Sequence, residues 1–211
     1  MLNFKQLFEL GRRADYLPEG VEAKHICFGM ILRDGKKMST RKGTLIELED
    51  LISQSVSKSK EILLAKSPNT DPQELDKVAE IVGVGAIIYN DLRQSRTKNI
   101  SFDWDKMLDL EGGSAVYLQY SYVRINSIME KLKEAFGEID LGKLEMNDIS
   151  FVNKSEFELA KKLMAFPDVI VKAQETDSPN HICGYLEELA SLFNSFYNET
   201  SIIRTEDVKL R

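Results

Sequence analysis

The residues best suited to chemistry lie between Gly35 and Thr44, in the stretch GKKMSTRKGT. Lys36, Lys37, Arg41 and Lys42 crowd together there, with Ser39 and Thr40 between them and Gly35 and Gly43 on either side. Ammonium and guanidinium groups neutralise phosphate charge, hydroxyls and backbone amides donate hydrogen bonds to it, and glycines let a loop close. The chemistry within reach is therefore capture of a phosphate-bearing ligand and stabilisation of charge that develops on it. Taken on charge alone, the same residues make a solvated basic turn. They are not a P-loop, because Gly-x-x-x-x-Gly-Lys-Ser/Thr is absent.

That local charge contrasts with the rest of the chain. Of 211 residues, 28 are Lys or Arg and 34 are Asp or Glu, for a formal net charge of −6. A field of that sign does not draw in nucleic acid, so a polyanionic partner must meet local basic patches. The hydrophobic fraction of 43% supports a sizeable core in one large or two small domains. Cys27 and Cys183 stand far apart and read as small core residues in a reducing compartment. With no Cys-x-x-Cys and no His pair at ligand spacing, no metal site is expected. His25 and His181 are lone histidines. No apolar run approaches the roughly 18 residues of a membrane span, and MLNFKQLFELGRR has no signal-peptide pattern. A cytoplasmic location is the expectation.

The elements that must hold the basic loop are short. FKQLFELGRRA predicts a helix over Phe4 to Ala14. KHICFGMILRDGKK predicts a strand over His25 to Leu32 and a turn at Asp34-Gly35. From residue 45 onward the pattern is helical. Leu48, Leu51, Ile52 and Val56 open one helix that reaches about Leu64. Asp71, Pro72 and Glu74 mark the start of the next, with Leu75, Val78, Ala79, Val82, Ala86, Tyr89 and Leu92 as one buried face. Gly83 and Gly85 weaken that helix and allow a close helix approach. NISFDWDKMLDLEGGSA reads as a loop with extended pieces, in which Trp104 is a packing anchor. Asp103 and Asp105 then fall on opposite sides and make no acid–base pair. Ser114 caps a long helix. Ser155, with Glu158 at the box position, caps another that Pro167 ends. Ser178-Pro179 opens a helix with Ile182, Tyr185, Leu186, Leu189, Phe193, Phe196 and Tyr197 as its stripe. The fold class is mainly α, a helical bundle with a short α/β remnant at the N-terminus.

The order of residues in the basic loop adds a resemblance. Lys37-Met38-Ser39-Thr40-Arg41 resembles the KMSKS signature of class I aminoacyl-tRNA synthetases, and KMSTRKG resembles the arginyl-tRNA synthetase form of it. Three further stretches resemble that family in the same order. They are HICFGMILRDGKK, the NDLRQSRTKNISFDWDKMLDLEGGSAVYLQYSYVRINSI run, and NHICGYLEELASLFNSFYNE, which is similar to a helix of the DALR-type anticodon-binding domain. The resemblance implies ATP-dependent joining of arginine to its tRNA through arginyl-adenylate. It casts Lys37, Ser39, Arg41 and Lys42 as the residues that stabilise phosphate charge, and Lys37, Met38, Ser39 and Thr40 as those that contact ATP, with Mg2+ in the parent enzyme. Thr40 departs from the signature, since a hydroxyl stands where a second lysine would supply charge.

The resemblance also implies a tRNA face. Single-stranded bases are bound by stacking and edge hydrogen bonds. Tyr117, Gln119, Tyr120 and Arg124 on one predicted helix, with Asn194 and Tyr197 on another, have the side chains for this. Arg93 and Arg96 would meet backbone phosphates. Against this, an aromatic stripe at helical spacing is usually core, and an arginine cluster is usually ordinary surface charge. The HIGH signature and the nucleotide-binding first half of the catalytic domain are absent. The expectation is an internal fragment, inactive alone and monomeric. Residues 1–66 would form the end of a catalytic domain with its loop at 35–44, and residues 67–211 a helical anticodon-binding domain. The rivals are a non-catalytic helical tRNA-binding or adaptor module, and the same region of another class I enzyme such as the cysteinyl one.

Overall fold

A computed structural model describes residues 2–33, 36–37, 47–101, 103–109, 112–137, 151–200 and 202. The protein is mainly α, as its periodicity predicts, with one short ribbon of sheet. α1 (Leu2–Arg13) carries Leu2, Leu7 and Leu10 exposed on its surface. An extended segment follows, and the predicted strand shrinks to β1 (Ile31–Arg33). The reason is competition for hydrogen bonds from residues distant in sequence. The Gly29 amide donates to the Arg96 carbonyl at 2.6 Å and the Met30 amide to the Asn99 side chain at 3.0 Å, so no regular ladder forms before Ile31. β1 pairs antiparallel with β2 (Lys36–Lys37) and parallel with β3 (Ile100–Ser101). The predicted turn at Asp34-Gly35 lies outside the described residues.

α2 (Leu48–Lys66) and α3 (Pro72–Arg93) form the most extensively packed pair of elements. Asp71 caps α3 as predicted, accepting from the amides of Gln73 and Glu74 at 2.9 and 3.1 Å. The buried face of α3 is Leu75, Ala79, Gly83, Ala86 and Tyr89, while Val78 and Leu92 point to solvent. The expected face was therefore too wide, and the glycine belongs to it. At Gly83 the two backbones touch: a Cβ there would sit 2.7 Å from the Val56 nitrogen. Ser55, fully buried, donates its hydroxyl to the Gly83 carbonyl at 2.8 Å. Small residues let the helices close, and the serine satisfies a carbonyl at the crossing.

WDKM forms a helical turn rather than an extended piece: α4 (Trp104–Met107) is capped by Asp103, which accepts from the Lys106 amide. That amide, and the Lys106 ammonium beside it, hold the Asp103 carboxyl below the usual range. α5 (Ala115–Phe136) begins at Ser114, whose hydroxyl accepts from the Tyr117 amide at 3.1 Å, as predicted. α6 (Lys154–Met164) is capped by Asn153 with Glu156, not by Ser155 with Glu158. Pro167 does more than end α6. It sits in the first turn of α7 (Phe166–Glu175), a helix that periodicity missed. α8 (Asn180–Glu199) follows Pro179 and packs against α6, α7, α3 and α5, which makes it the central element of the bundle.

Candidate functional site

The long helices α5 and α8 face each other and bring five of the candidate tRNA residues together. Tyr117, Tyr120 and Arg124 lie three and four residues apart on α5, so they share one side of it. Asn194 and Tyr197 do the same on α8. The Arg124 guanidinium donates to the Asn194 side-chain oxygen at 3.0 Å and to the Tyr120 hydroxyl at 2.9 Å. It also lies over the rings of Tyr120 and Tyr197, 4.5 and 5.1 Å from their centroids. Asn194 in turn donates to the Tyr117 hydroxyl at 2.9 Å and to Ser121 Oγ at 3.1 Å.

Two consequences follow from that geometry. Asn194 has both faces of its amide engaged inside the protein, so it holds Arg124 in place. Arg124 has five N–H donors, of which Asn194 and Tyr120 take one each. The remainder border an open cleft of about 810 Å3 lined by Tyr120, Arg124, Lys131, Tyr197 and Asn198. Two cations, Arg124 and Lys131, outnumber the one carboxylate, Glu199, in the lining, and with two tyrosine rings they suit an aromatic, anionic ligand. Ser121 and Lys131 were missed from the sequence. Both follow helical spacing, three residues before and seven after Arg124, which is the signal that finds them.

Three comparisons with known proteins bear on this arrangement. Residues 1–104 match the family described as tRNA synthetases class I (R), catalytic domain, and residues 118–211 match the DALR anticodon binding domain. The arginine–tRNA ligase of Fusobacterium nucleatum is 41% identical over 204 residues, which is 97% of this chain and 35% of that protein. That of a Nostoc species is 41% identical over 202 residues, 93% of this chain and 34% of that protein. The chain belongs to the arginyl-tRNA synthetase family. It spans about a third of the length of the curated relatives it matches. Among solved structures, the arginyl-tRNA synthetase of Plasmodium falciparum superposes with a TM-score of 0.77 at 25% identity, over 99% of this chain and 34% of that one. The Thermus thermophilus arginyl-tRNA synthetase gives 0.72 at 25% identity, over 89% of this chain and 30% of that one.

Within this arginyl-tRNA synthetase region the other candidates are placed apart from the cleft. Gln119 faces α3, donating weakly to the Ile81 carbonyl at 3.4 Å beside Gly85. Arg93 donates to the Gly113 carbonyl, pairs with Glu187 at 3.3 Å and lies over the Tyr89 ring. Tyr89 donates its hydroxyl to the same Glu187 carboxylate at 2.7 Å. Burial, then that acceptor, push the Tyr89 phenol well above its ordinary value, and burial beside Glu187 raises the Cys183 thiol too. Arg96 donates to the carbonyls of Cys27, Asp177 and Thr176 at 2.8, 2.9 and 3.3 Å. Arg93 and Arg96 thus tie elements together, whereas Arg124 and Lys131 open onto the cleft.

The signature loop is only partly in view. Lys37 lies in β2, its backbone paired with Leu32. Met38, Ser39, Thr40, Arg41 and Lys42 lie outside the described residues. Cys183 is buried and Cys27 half-buried, both as free thiols. His25 stacks on Phe4 with ring centroids 3.9 Å apart. Trp104 receives the Lys58 ammonium over its ring at 5.9 Å. Among the described residues no helix is long and apolar enough to cross a membrane.

Proposed function

We propose that this chain is the part of an arginine–tRNA ligase that supplies the ATP-phosphate loop and the tRNA anticodon-binding surface. The observation that carries this is the succession of the two family matches, catalytic at residues 1–104 and anticodon-binding at 118–211. In the parent enzyme, ATP and arginine form arginyl-adenylate and pyrophosphate, and the arginyl group passes to the 3′-terminal ribose of the tRNA. Lys37, Arg41 and Lys42 neutralise charge on the ATP phosphates during the first step and Ser39 donates a hydrogen bond to them, while Met38 and Thr40 complete the contact. Thr40 brings no charge, so Arg41, Lys42 or a lysine elsewhere in the parent enzyme stands in for the second lysine. Mg2+ bound with the triphosphate would add further charge stabilisation at the phosphates beside these residues.

At the other end, unstacked anticodon bases enter the α5–α8 cleft and lie against Tyr120 and Tyr197, with the free edge of Arg124 towards a base edge or phosphate. Tyr117 and Asn194 set that arginine from behind. Gln119, Arg93 and Arg96 complete the candidate set, standing apart from the cleft and tying together the elements around it. The division of the chain into a catalytic portion, 1–66, and an anticodon-binding portion, 67–211, belongs to the same proposal, as do a monomeric state and a cytoplasmic location. The chain alone performs no aminoacylation, because the HIGH signature is not in it.

Filter binding of the 211-residue chain to transcripts of arginine-accepting and unrelated tRNAs tests this. The arginine tRNA is expected to bind tighter, with affinity falling as salt rises. Equal affinity for all transcripts refutes anticodon reading and favours a general helical RNA-binding module.

A further inference from the structure

Arg96 makes the densest set of long-range hydrogen bonds at the junction between the N-terminal segment and the bundle. Its Nη1 donates to the Cys27 carbonyl at 2.8 Å, with Cys27 Sγ at 3.6 Å. Its Nε donates to the Asp177 carbonyl at 2.9 Å and its Nη2 to the Thr176 carbonyl at 3.3 Å. Its own carbonyl accepts from the Gly29 amide at 2.6 Å. One planar fork therefore joins residues 27–29 to the α7–α8 turn, a geometry that a lysine cannot copy.

Both surfaces it joins are tightly specified. A Cβ on Gly29 would fall 1.9 Å from the Lys98 carbonyl oxygen, so the crossing admits only glycine. Asp177 has φ of +47°, a left-handed conformation uncommon for a residue with a side chain. It is held there by Arg96 on its carbonyl and by an ion pair between its carboxylate and Lys24. Past the turn, α8 runs unbroken from Asn180 to Glu199. Asn194 lies roughly 20 Å along that helix from its start, at about 1.5 Å per residue.

From this geometry we infer that Arg96 is a positioning residue that couples the anticodon cleft to the strands leading into Lys37, by fixing the start of α8 against residues 27–33. The inference rests on the tRNA reading above. A ligand that clamps α5 to α8 restrains α8. Opening of residues 27–33 then requires breaking the Arg96 fork against a fixed helix, and becomes rarer. Arg96 touches no ligand in this scheme and acts through the two elements it joins.

Amide hydrogen exchange on the 211-residue chain, with and without an arginine-accepting tRNA transcript, tests it. In the unmodified chain the transcript is expected to slow exchange roughly threefold or more at 194–200 and also at 27–33. In Arg96→Ala the protection at 194–200 persists and that at 27–33 is lost. Arg96→Lys, which keeps the charge and the aliphatic stem, gives the same split and serves if the alanine variant fails to fold. Lys60→Ala removes an ion pair with Asp76 between α2 and α3, away from the fork, and retains both protections. Protection at 27–33 that survives in Arg96→Lys or Arg96→Ala overturns the coupling, and so does its absence in the unmodified chain while 194–200 is protected. No protection at 194–200 in the unmodified chain overturns the anticodon reading and the coupling with it.

Discussion

Gly83→Ala is the most informative single change to the bundle, because two opposing effects are both readable. In a free helix, alanine is favoured over glycine by about 1 kcal/mol. Here the added Cβ would stand 2.7 and 2.8 Å from the nitrogen and Cα of Val56 and 2.9 Å from the Ser55 carbonyl carbon. All three are backbone atoms of α2, so the relief must come from moving a helix. Overpacking of that kind costs about 1–3 kcal/mol. The shift also stretches the Ser55 bond to the Gly83 carbonyl, a buried pair whose loss costs about 1–3 kcal/mol. The net is a destabilisation of about 1–5 kcal/mol, and about 2–4 °C of melting temperature is lost per kcal/mol at this chain length. Gly85→Ala is the control. Its Cβ would meet the Gln119 amide nitrogen at 2.8 Å, the far end of a flexible side chain, so the helix gain survives. Melting both variants by circular dichroism decides the matter. If Gly83→Ala melts with or above Gly85→Ala, the claim that backbone contact dictates glycine at the α2–α3 crossing is wrong.

Other outcomes follow from the same contacts. Arg124→Ala is expected to weaken binding of the arginine tRNA by about tenfold or more, the scale of one bidentate or stacked contact of about 1–3 kcal/mol, as read by filter binding. Tyr197→Leu keeps the bulk and should show a smaller loss of the same sign; no change in either variant removes the cleft from consideration. Asn153→Ala should cost about 1 kcal/mol through loss of the α6 cap, while Ser155→Ala costs little, and denaturant melts separate them. Tyr89 gives a pH test. Its folded-state value lies above the ordinary 10.0, so the stability it contributes is whole below pH 10 and is lost as pH rises past that point. Tyr89→Phe should therefore lose less stability than the unmodified chain between neutral pH and the alkaline range beyond 10, and parallel curves would contradict that assignment.

Which features could be read from the chain depended on whether their physics is local. Asp71 and Ser114 cap their helices as expected, since a cap needs only a side chain and amides two or three residues on. The cap of α6 was misplaced because Asn153–Glu156 and Ser155–Glu158 both satisfy the same spacing, and only packing chooses between them. α7 was lost because a proline that ends one helix equally suits the first turn of the next. The strand at His25 fell short because the Asn99 side chain and the Arg96 carbonyl, far away in sequence, took the amides of Met30 and Gly29. Helical spacing did bring Tyr117, Tyr120 and Arg124 to one side of α5 and Asn194 with Tyr197 to one side of α8. That those two sides meet is a tertiary fact that no spacing rule contains.

The arginines carry the point further. Arg93, Arg96 and Arg124 look alike in the sequence, each a cation at the end of a helix or on its face. Their environments separate them by where their donors face. Arg96 spends its fork on three carbonyls and Arg93 on a carbonyl and Glu187, and neither of them lines the cleft. Arg124 spends two donors on Asn194 and Tyr120 and borders the cleft with the rest, in a guanidinium already ordered between two rings. A ligand that binds there loses little side-chain entropy, because Asn194 has already fixed the rotamer. Substituting Asn194 should therefore lower affinity through Arg124 rather than through a contact of its own. An Asn194→Ala, Arg124→Ala double-mutant cycle should show strong non-additivity, with the second change costing little once the first is made.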